Sequence, residues 1–165
     1  MLTLANCVFV GNESFQGGSV AYDIVGGNSV QVTNCTFWGN TANTEGGGMW
    51  SHSGSTVLTN SILWGNSDAC GGGQIYNSAS TPAISHSDVE GSGGSGPGWD
   101  PNLGSDLGGN LDASPRFARP VDPNTAPTPA GDLRLGWESP AMDAGDNSRA
   151  AELATRAMYD HPTSV

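Results

Sequence analysis

The heptapeptide NCVFVGN at residues 6–12 returns as NCTFWGN at 34–40 and as NSILWGN at 60–66. Its leading asparagines, Asn6, Asn34 and Asn60, stand 28 and 26 residues apart, and a degenerate fourth copy, HSDVEGS, begins 26 residues further on at His86. A second element keeps step with the first: GGSVAY from Gly17, GGGMW from Gly46 and GGGQIY from Gly71. A fixed period of this size marks a solenoid, in which each repeat buries its apolar face only against its neighbours.

The kind of solenoid follows from what lies between the copies. A propeller blade takes roughly 40 residues or more, which exceeds the spacing. Leucine-rich repeats usually add a helical arc, whereas the intervening segments here are Gly, Asn, Ser and Thr without helical periodicity. Strand alternation is present instead, in Leu2-x-Leu4-x-Asn6, Val30-x-Val32-x-Asn34 and Thr56-x-Leu58-x-Asn60. The pattern predicts an all-β fold, a right-handed parallel β-helix: a single-stranded solenoid of about four regular coils plus an irregular C-terminal cap. One strand is expected to bury Leu2/Leu4, Val30/Val32, Thr56/Leu58 and Pro82/Ile84. A second buries Cys7/Phe9, Cys35/Phe37, Ser61/Leu63 and Ser87/Val89, and a third, after the glycines, buries Val20, Met49 and Ile75. With rungs ~4.8 Å apart, like residues form columns, and the turn asparagines are expected to build an amide ladder.

Composition agrees and narrows the function. The 165 residues hold 25 Gly, 36% hydrophobic residues and no Lys, so turn formers outnumber helix formers. Net charge is −11, and all five Arg follow residue 115. Phosphate binding needs clustered Lys and Arg, which argues against a nucleic-acid partner. No apolar run is long enough to span a membrane, and no charged-then-apolar leader precedes the repeat. Met1 runs straight into the pattern, as expected of a piece of a longer protein with flanking domains. Three cysteines make no disulfide framework, and Cys7 and Cys35 read as small core residues.

Past the fourth copy, GSGGSGPG at 91–98 breaks the rhythm, and residues 99–115 read as a long loop leaving the stack. DLRL (132–135) and SPAMDAG (139–145) read as strands of a last coil that caps the open rung. RAAELATRAMY, from Arg149, fits a short helix or a frayed tail. The expected division is repeats over 1–97, loop and cap over 98–147, and tail over 148–165.

FVGN, FWGN and LWGN, with GGSV, GGGM and GGGQIY, resemble the FxxN and GGAI motifs of chlamydial polymorphic outer-membrane protein repeats. NSILWGN, GGGQIYN, STPAISHSDVEG, SPRF and DLRLGWESPAMDAGDNS resemble, in that order, large bacterial secreted β-helix proteins whose C-terminal module is called a choice-of-anchor Q domain. The likeness covers residues 2–148 and stops at Ser148, after which the chain departs from the family pattern. It implies a right-handed β-helix in an extracellular or surface-displayed protein. A structural or adhesive role is the expectation for this chain, with a glycan or a host or cell-surface protein as partner.

Parallel β-helices also carry polysaccharide-cleaving sites. Uronate lyases use a cationic base, often with Ca²⁺, and the repeat region has neither Lys nor Arg. Asp88 and Glu90 are the best catalytic candidates: they alternate outward on one strand, their Cα atoms ~6.6–7 Å apart. They lie beside Ile62 and Trp64, with His86 at the adjacent corner. A carboxylate pair beside an aromatic suits glycoside hydrolysis; solvated acids on a last rung suit the same residues. The outward column of Val8, Val10, Thr36, Trp38, Ile62 and Trp64 carries the ligand-binding candidates, Trp38 and Trp64. Either they form an aromatic surface for sugar rings or a partner protein, or Trp99, Phe117 and Trp137 fold back and cover them. Residues 100–106 and 143–147 bring oxygens together in a way Ca²⁺ accepts, and in a way ordinary turns require; the Ca²⁺ repeat GGxGxDxUx is absent. No other metal or cofactor is expected. The sequence therefore points to a non-catalytic structural or adhesive β-helix, with carbohydrate binding or cleavage through an outer face as the alternative.

Overall fold

A computed structural model describes residues 1–23, 28–71, 73–128 and 131–147. The chain winds as a parallel β-solenoid of about four turns. Its first stack of strands holds Leu2–Ala5, Ser29–Thr33, Ser55–Thr59, Ala83–Ser85 and Ser105–Asp106, and its second holds Val8–Val10, Thr36–Trp38, Ile62–Trp64 and Asp88–Val89. The third holds Glu13–Ser14, Thr41–Ala42 and Ser67–Asp68, and the fourth Val20–Asp23, Met49–His52 and Ile75–Ser78. Registers follow the repeat: Val30 lies beside Leu2 and Thr56, Phe37 beside Phe9 and Leu63, and Met49 beside Val20 and Ile75. The third stack is a finding, because two-residue strands are too short to show a period. Val30, Val32, Phe37, Leu58, Leu63, Ile84 and Val89 are fully buried, and the Phe9 and Phe37 rings stack 4.8 Å apart.

The heptapeptide serves the corners as much as the core. Asn6, Asn34, Asn60 and His86 take left-handed φ values of 55°, 54°, 52° and 48°, a conformation that asparagine tolerates best among residues with a side chain. The following residue hydrogen-bonds back across the turn: Cys7, Cys35, Ser61 and Ser87 each donate to the carbonyl two residues earlier. The Ser61 hydroxyl also accepts from Cys35 N at 3.1 Å, and Ser87 from Ser61 N at 3.2 Å. The expected core filler is thus a hydrogen-bonded corner peg, which is why Ser replaces Cys in the later coils.

The closing asparagine builds the expected ladder. Asn40 is completely buried; its Oδ1 accepts from Asn12 N and Nδ2, and its Nδ2 donates to Phe9 O and to Asn66 Oδ1. Asn66 passes the chain of bonds on to Phe37 O and Gln74 Oε1. Buried amide groups left without partners are costly, so Asn40→Ala should lower unfolding free energy by about 2 kcal/mol. Urea denaturation monitored by circular dichroism checks this; an unchanged midpoint would show that the ladder adds nothing.

The C-terminal third departs from expectation twice. Residues 99–113 do not leave the stack as a loop. Ser105 and Asp106 pair parallel with Ala83 and Ile84, Leu111 bridges to Asp88, and Asn110 extends the corner pegs by accepting from Ser87 N at 3.0 Å. Leu103 and Trp99 pack on the main core, so this partial fifth coil closes the end that residues 132–145 were expected to cap. Those residues belong instead to a strap, residues 113–128 and 131–146, laid along the side of the solenoid. Within it Phe117–Arg119 pairs antiparallel with Asp132–Leu135, while 139–145 forms turns rather than a strand.

The strap touches every coil. Ala113 N donates to Asp88 on the fourth, Asp146 N to Asn60 Oδ1 (2.8 Å) on the third, Trp38 Nε1 on the second to Val121 O (2.7 Å), and Thr128 N to Gly11 O (2.8 Å) on the first. Gly11, at φ 57°, has the Thr128 carbonyl where a Cβ would sit. Residues 148–165, with the helix or tail expected there, lie outside the described residues. Among the described residues no helix is long and apolar enough to cross a membrane.

Candidate functional site

The strap decides the fate of the sequence-derived candidates. Its side chains pack on the outward face of the second stack, where Trp38, Phe117 and Val121 form a second apolar cluster joined by Val10, Ile62, Trp64, Leu133 and Leu135. Trp38 is 9% exposed and meets the edge of Phe117 at 5.0 Å, its indole N–H committed to Val121 O. It presents no free face to a sugar. Trp64 is half-buried in the same cluster. Of the three aromatics expected to provide cover, only Phe117 does so. Trp99 turns to the core, with its N–H on Gly104 O, and Trp137 stays 84% exposed.

Asp88 points outward from its coil as alternation requires, in register with Ile62, yet it is 3% exposed because residues 111–113 and the strap cover it. Its Oδ1 accepts from Ala113 N at 3.1 Å, while Oδ2 is buried and finds no partner among the described residues. Burial pushes its pKa up to about 6; the Asp112 and Glu90 charges add to the rise, and the Ala113 N–H opposes it. It lines a cavity of about 180 Å³ together with Ile62, His86, Leu111 and Leu135. Glu90 faces elsewhere: its Oε2 accepts from Gly65 N at 2.7 Å and Gln74 Nε2 at 2.8 Å, and it lines a different cleft of about 490 Å³. The two carboxyls therefore open onto separate spaces and do not flank one scissile bond. Expectation placed both in solvent on one strand; the strap's cover over Asp88 is the physical reason for the difference.

A half-buried aromatic face lies outside the strap's cluster, on the fourth stack. With Val20, Met49 and Ile75 pointing inward as expected, alternation turns Ala21, Trp50 and Tyr76 outward in one register column, and Asp23, His52 and Ser78 in the next. The Trp50 and His52 rings stack at 5.5 Å and 14°. Trp50 Nε1 donates to Glu45 Oε2 at 3.2 Å, and His52 Nδ1 lies 2.8 Å from Asp23 Oδ1. Glu45 also faces Tyr76, where its charge and hydrogen bonding push the phenol's pKa upward. Tyr76 borders the 490 Å³ cleft, whose walls include Gln74, Asn77, Glu90, Asp100 and Asn102. Asn77 is held by its amide, which donates to Asn102 O and Leu103 O, while its buried Oδ1 finds no partner among the described residues. The sequence carries the signal for this face in GGGMW and GGGQIY, where an aromatic follows directly on each inward residue.

Of the acids considered for Ca²⁺, Asp100 and Asp106 are occupied by N–H and O–H donors. Asp106 accepts from Gly108 N, Gly96 N, Ser95 Oγ and Asn110 Nδ2, and these bonds hold its pKa down at about 2. Asp100 Oδ1 accepts from the backbone and side-chain N–H groups of Asn102, a turn arrangement. The Asp106 carboxylate thereby ties down Ser95 and Gly96 of the glycine-rich segment, and among the described residues no three His, Cys, Asp or Glu gather as a metal site would require. No family model, no curated protein and no solved structure matches the chain.

Proposed function

We propose that the chain is a non-catalytic display segment of a secreted or surface-exposed bacterial protein, of the polymorphic outer-membrane repeat and choice-of-anchor type, that binds a partner through an outer face. The divergence of Asp88 and Glu90 into separate spaces carries this reading, because hydrolysis of a glycosidic bond needs two carboxyls on opposite sides of one bond. The scaffold alone confers no chemistry, and here the solenoid's own strap occupies the surface on which the acid pair would have acted.

Incubating the chain with pectic, chitinous and β-glucan polysaccharides and assaying new reducing ends tests the proposal. No release above the blank is expected, with or without added Ca²⁺. Turnover that disappears in Glu90→Gln or Asp88→Asn would overturn it in favour of a polysaccharide-cleaving enzyme.

A further inference from the structure

The half-buried outer face of the fourth stack has three properties that together define a ligand. It is aromatic: Trp50 and Tyr76 occupy adjacent rungs of one column, their backbones ~4.8 Å apart along the solenoid. It is anchored: Glu45 holds the Trp50 N–H and His52 lies parallel to the indole, so the ring's orientation is fixed before any ligand arrives. It is acidic: Glu45 stands beside the rings, and Glu90 and Asp100 line the adjoining cleft. No Lys or Arg occurs before residue 116 to offset them. A 490 Å³ cleft lies in the size range of small-ligand sites.

We infer that Trp50 and Tyr76 with Glu45, continued by the cleft at Glu90 and Asp100, bind an oligosaccharide that carries no acidic groups, with amino-sugar units as the best match. Pyranose rings present C–H faces to the aromatic column. Hydroxyl and ammonium groups donate to the carboxylates, and an ammonium also gains from the indole face. Uronate, sulfated or sialylated glycans are repelled by the same carboxylates. The inference rests on the display reading, since the glycan is held and not cleaved.

Calorimetric titration of the full chain, in mildly acidic buffer that keeps sugar amines protonated, tests this with three probes: a glucosamine hexamer, its N-acetylated counterpart and an oligogalacturonate. The glucosamine hexamer is expected to bind about tenfold more tightly than the N-acetylated one, oligogalacturonate not at all, and added salt should narrow the gap. Trp50→Ala and Tyr76→Ala should each weaken binding at least about tenfold. If circular dichroism shows that Trp50→Ala disturbs the fold, Tyr76→Ala and Glu45→Gln carry the comparison. Silence from both amine and N-acetyl hexamers, equal binding of oligogalacturonate, or affinity unchanged in Tyr76→Ala would overturn the site. Equal affinity for the two hexamers would overturn the amine preference. Binding followed by release of shorter sugars would overturn the display reading while leaving the site in place; absence of both would remove the site and leave the display reading standing.

Discussion

Trp38→Ala is expected to free the strap from the solenoid while leaving the coils wound. The side chain is nearly fully buried between the second stack and Phe117, and truncating a buried Trp costs about 3–5 kcal/mol. It also leaves the Val121 carbonyl without its donor. The core of the coils lies on the other side of the sheet, around Phe37 and Leu63, so the loss should be local. Hydrogen exchange should accelerate over residues 115–121 and 132–135, with exchange at 30–37 and 58–63 slowed as before. Trp38→Phe, which keeps most of the apolar contact and loses the hydrogen bond, should cost about 1–2 kcal/mol. Unchanged exchange in the strap of Trp38→Ala would show that the docking energy lies elsewhere.

The second large effect is electrostatic. Asp88 has its folded pKa raised from 3.8 to about 6, so the folded state holds a proton that the unfolded chain has already released. The sign follows: its favourable contribution is complete below pH 3.8 and is lost as pH rises through about 6. The difference is worth about 3 kcal/mol. Asp106 and Asp132, both held at about 2, work in the opposite sense but only at pH values below their unfolded 3.8. Above that value Asp88 should dominate, and urea midpoints should fall between pH 4 and 7. Asp88→Asn should flatten the curve and raise stability at pH 7 by up to about 3 kcal/mol. A wild-type curve that is flat or rising over the same window would place Asp88 in contact with solvent.

Where the sequence repeats, the fold is legible. From the second coil on, the columns through Val30, Phe37 and Met49 are buried as alternation requires, because a two-residue period and a fixed spacing leave one register. Leu2, expected to be buried on the first coil, is instead 47% exposed, with no rung before it among the described residues. Legibility stops where the repeat stops. Nothing in DLRL tells that its apolar residues pack against the side of the second stack and not across an open end, since both placements bury the same surface. Nor does SDLGG mark itself as a fifth rung; Asn110 joins the corner pegs by supplying an amide oxygen where earlier coils supply a hydroxyl or thiol. The site follows the same logic. Trp38 could be read as open surface or as covered by the C-terminal segment, because its cover comes from residue 117 onward, outside any period. Trp50 and Tyr76 lay inside the period and were readable in principle.

The strap has a consequence for how the molecule comes apart and comes together. In a plain stack each coil contacts only its neighbours, and terminal coils peel off one by one. Here Thr128 is tied to Gly11 and Val121 to Trp38, while Asp146 is tied to Asn60. Coils separated along the axis therefore share one brace, and unfolding should collapse toward a single cooperative step. Those ties span 83 and 86 residues of sequence in two of the three cases, which raises the contact order and slows the search for the native state. The coil that carries Gly11 is thus finished only when residue 128 has arrived.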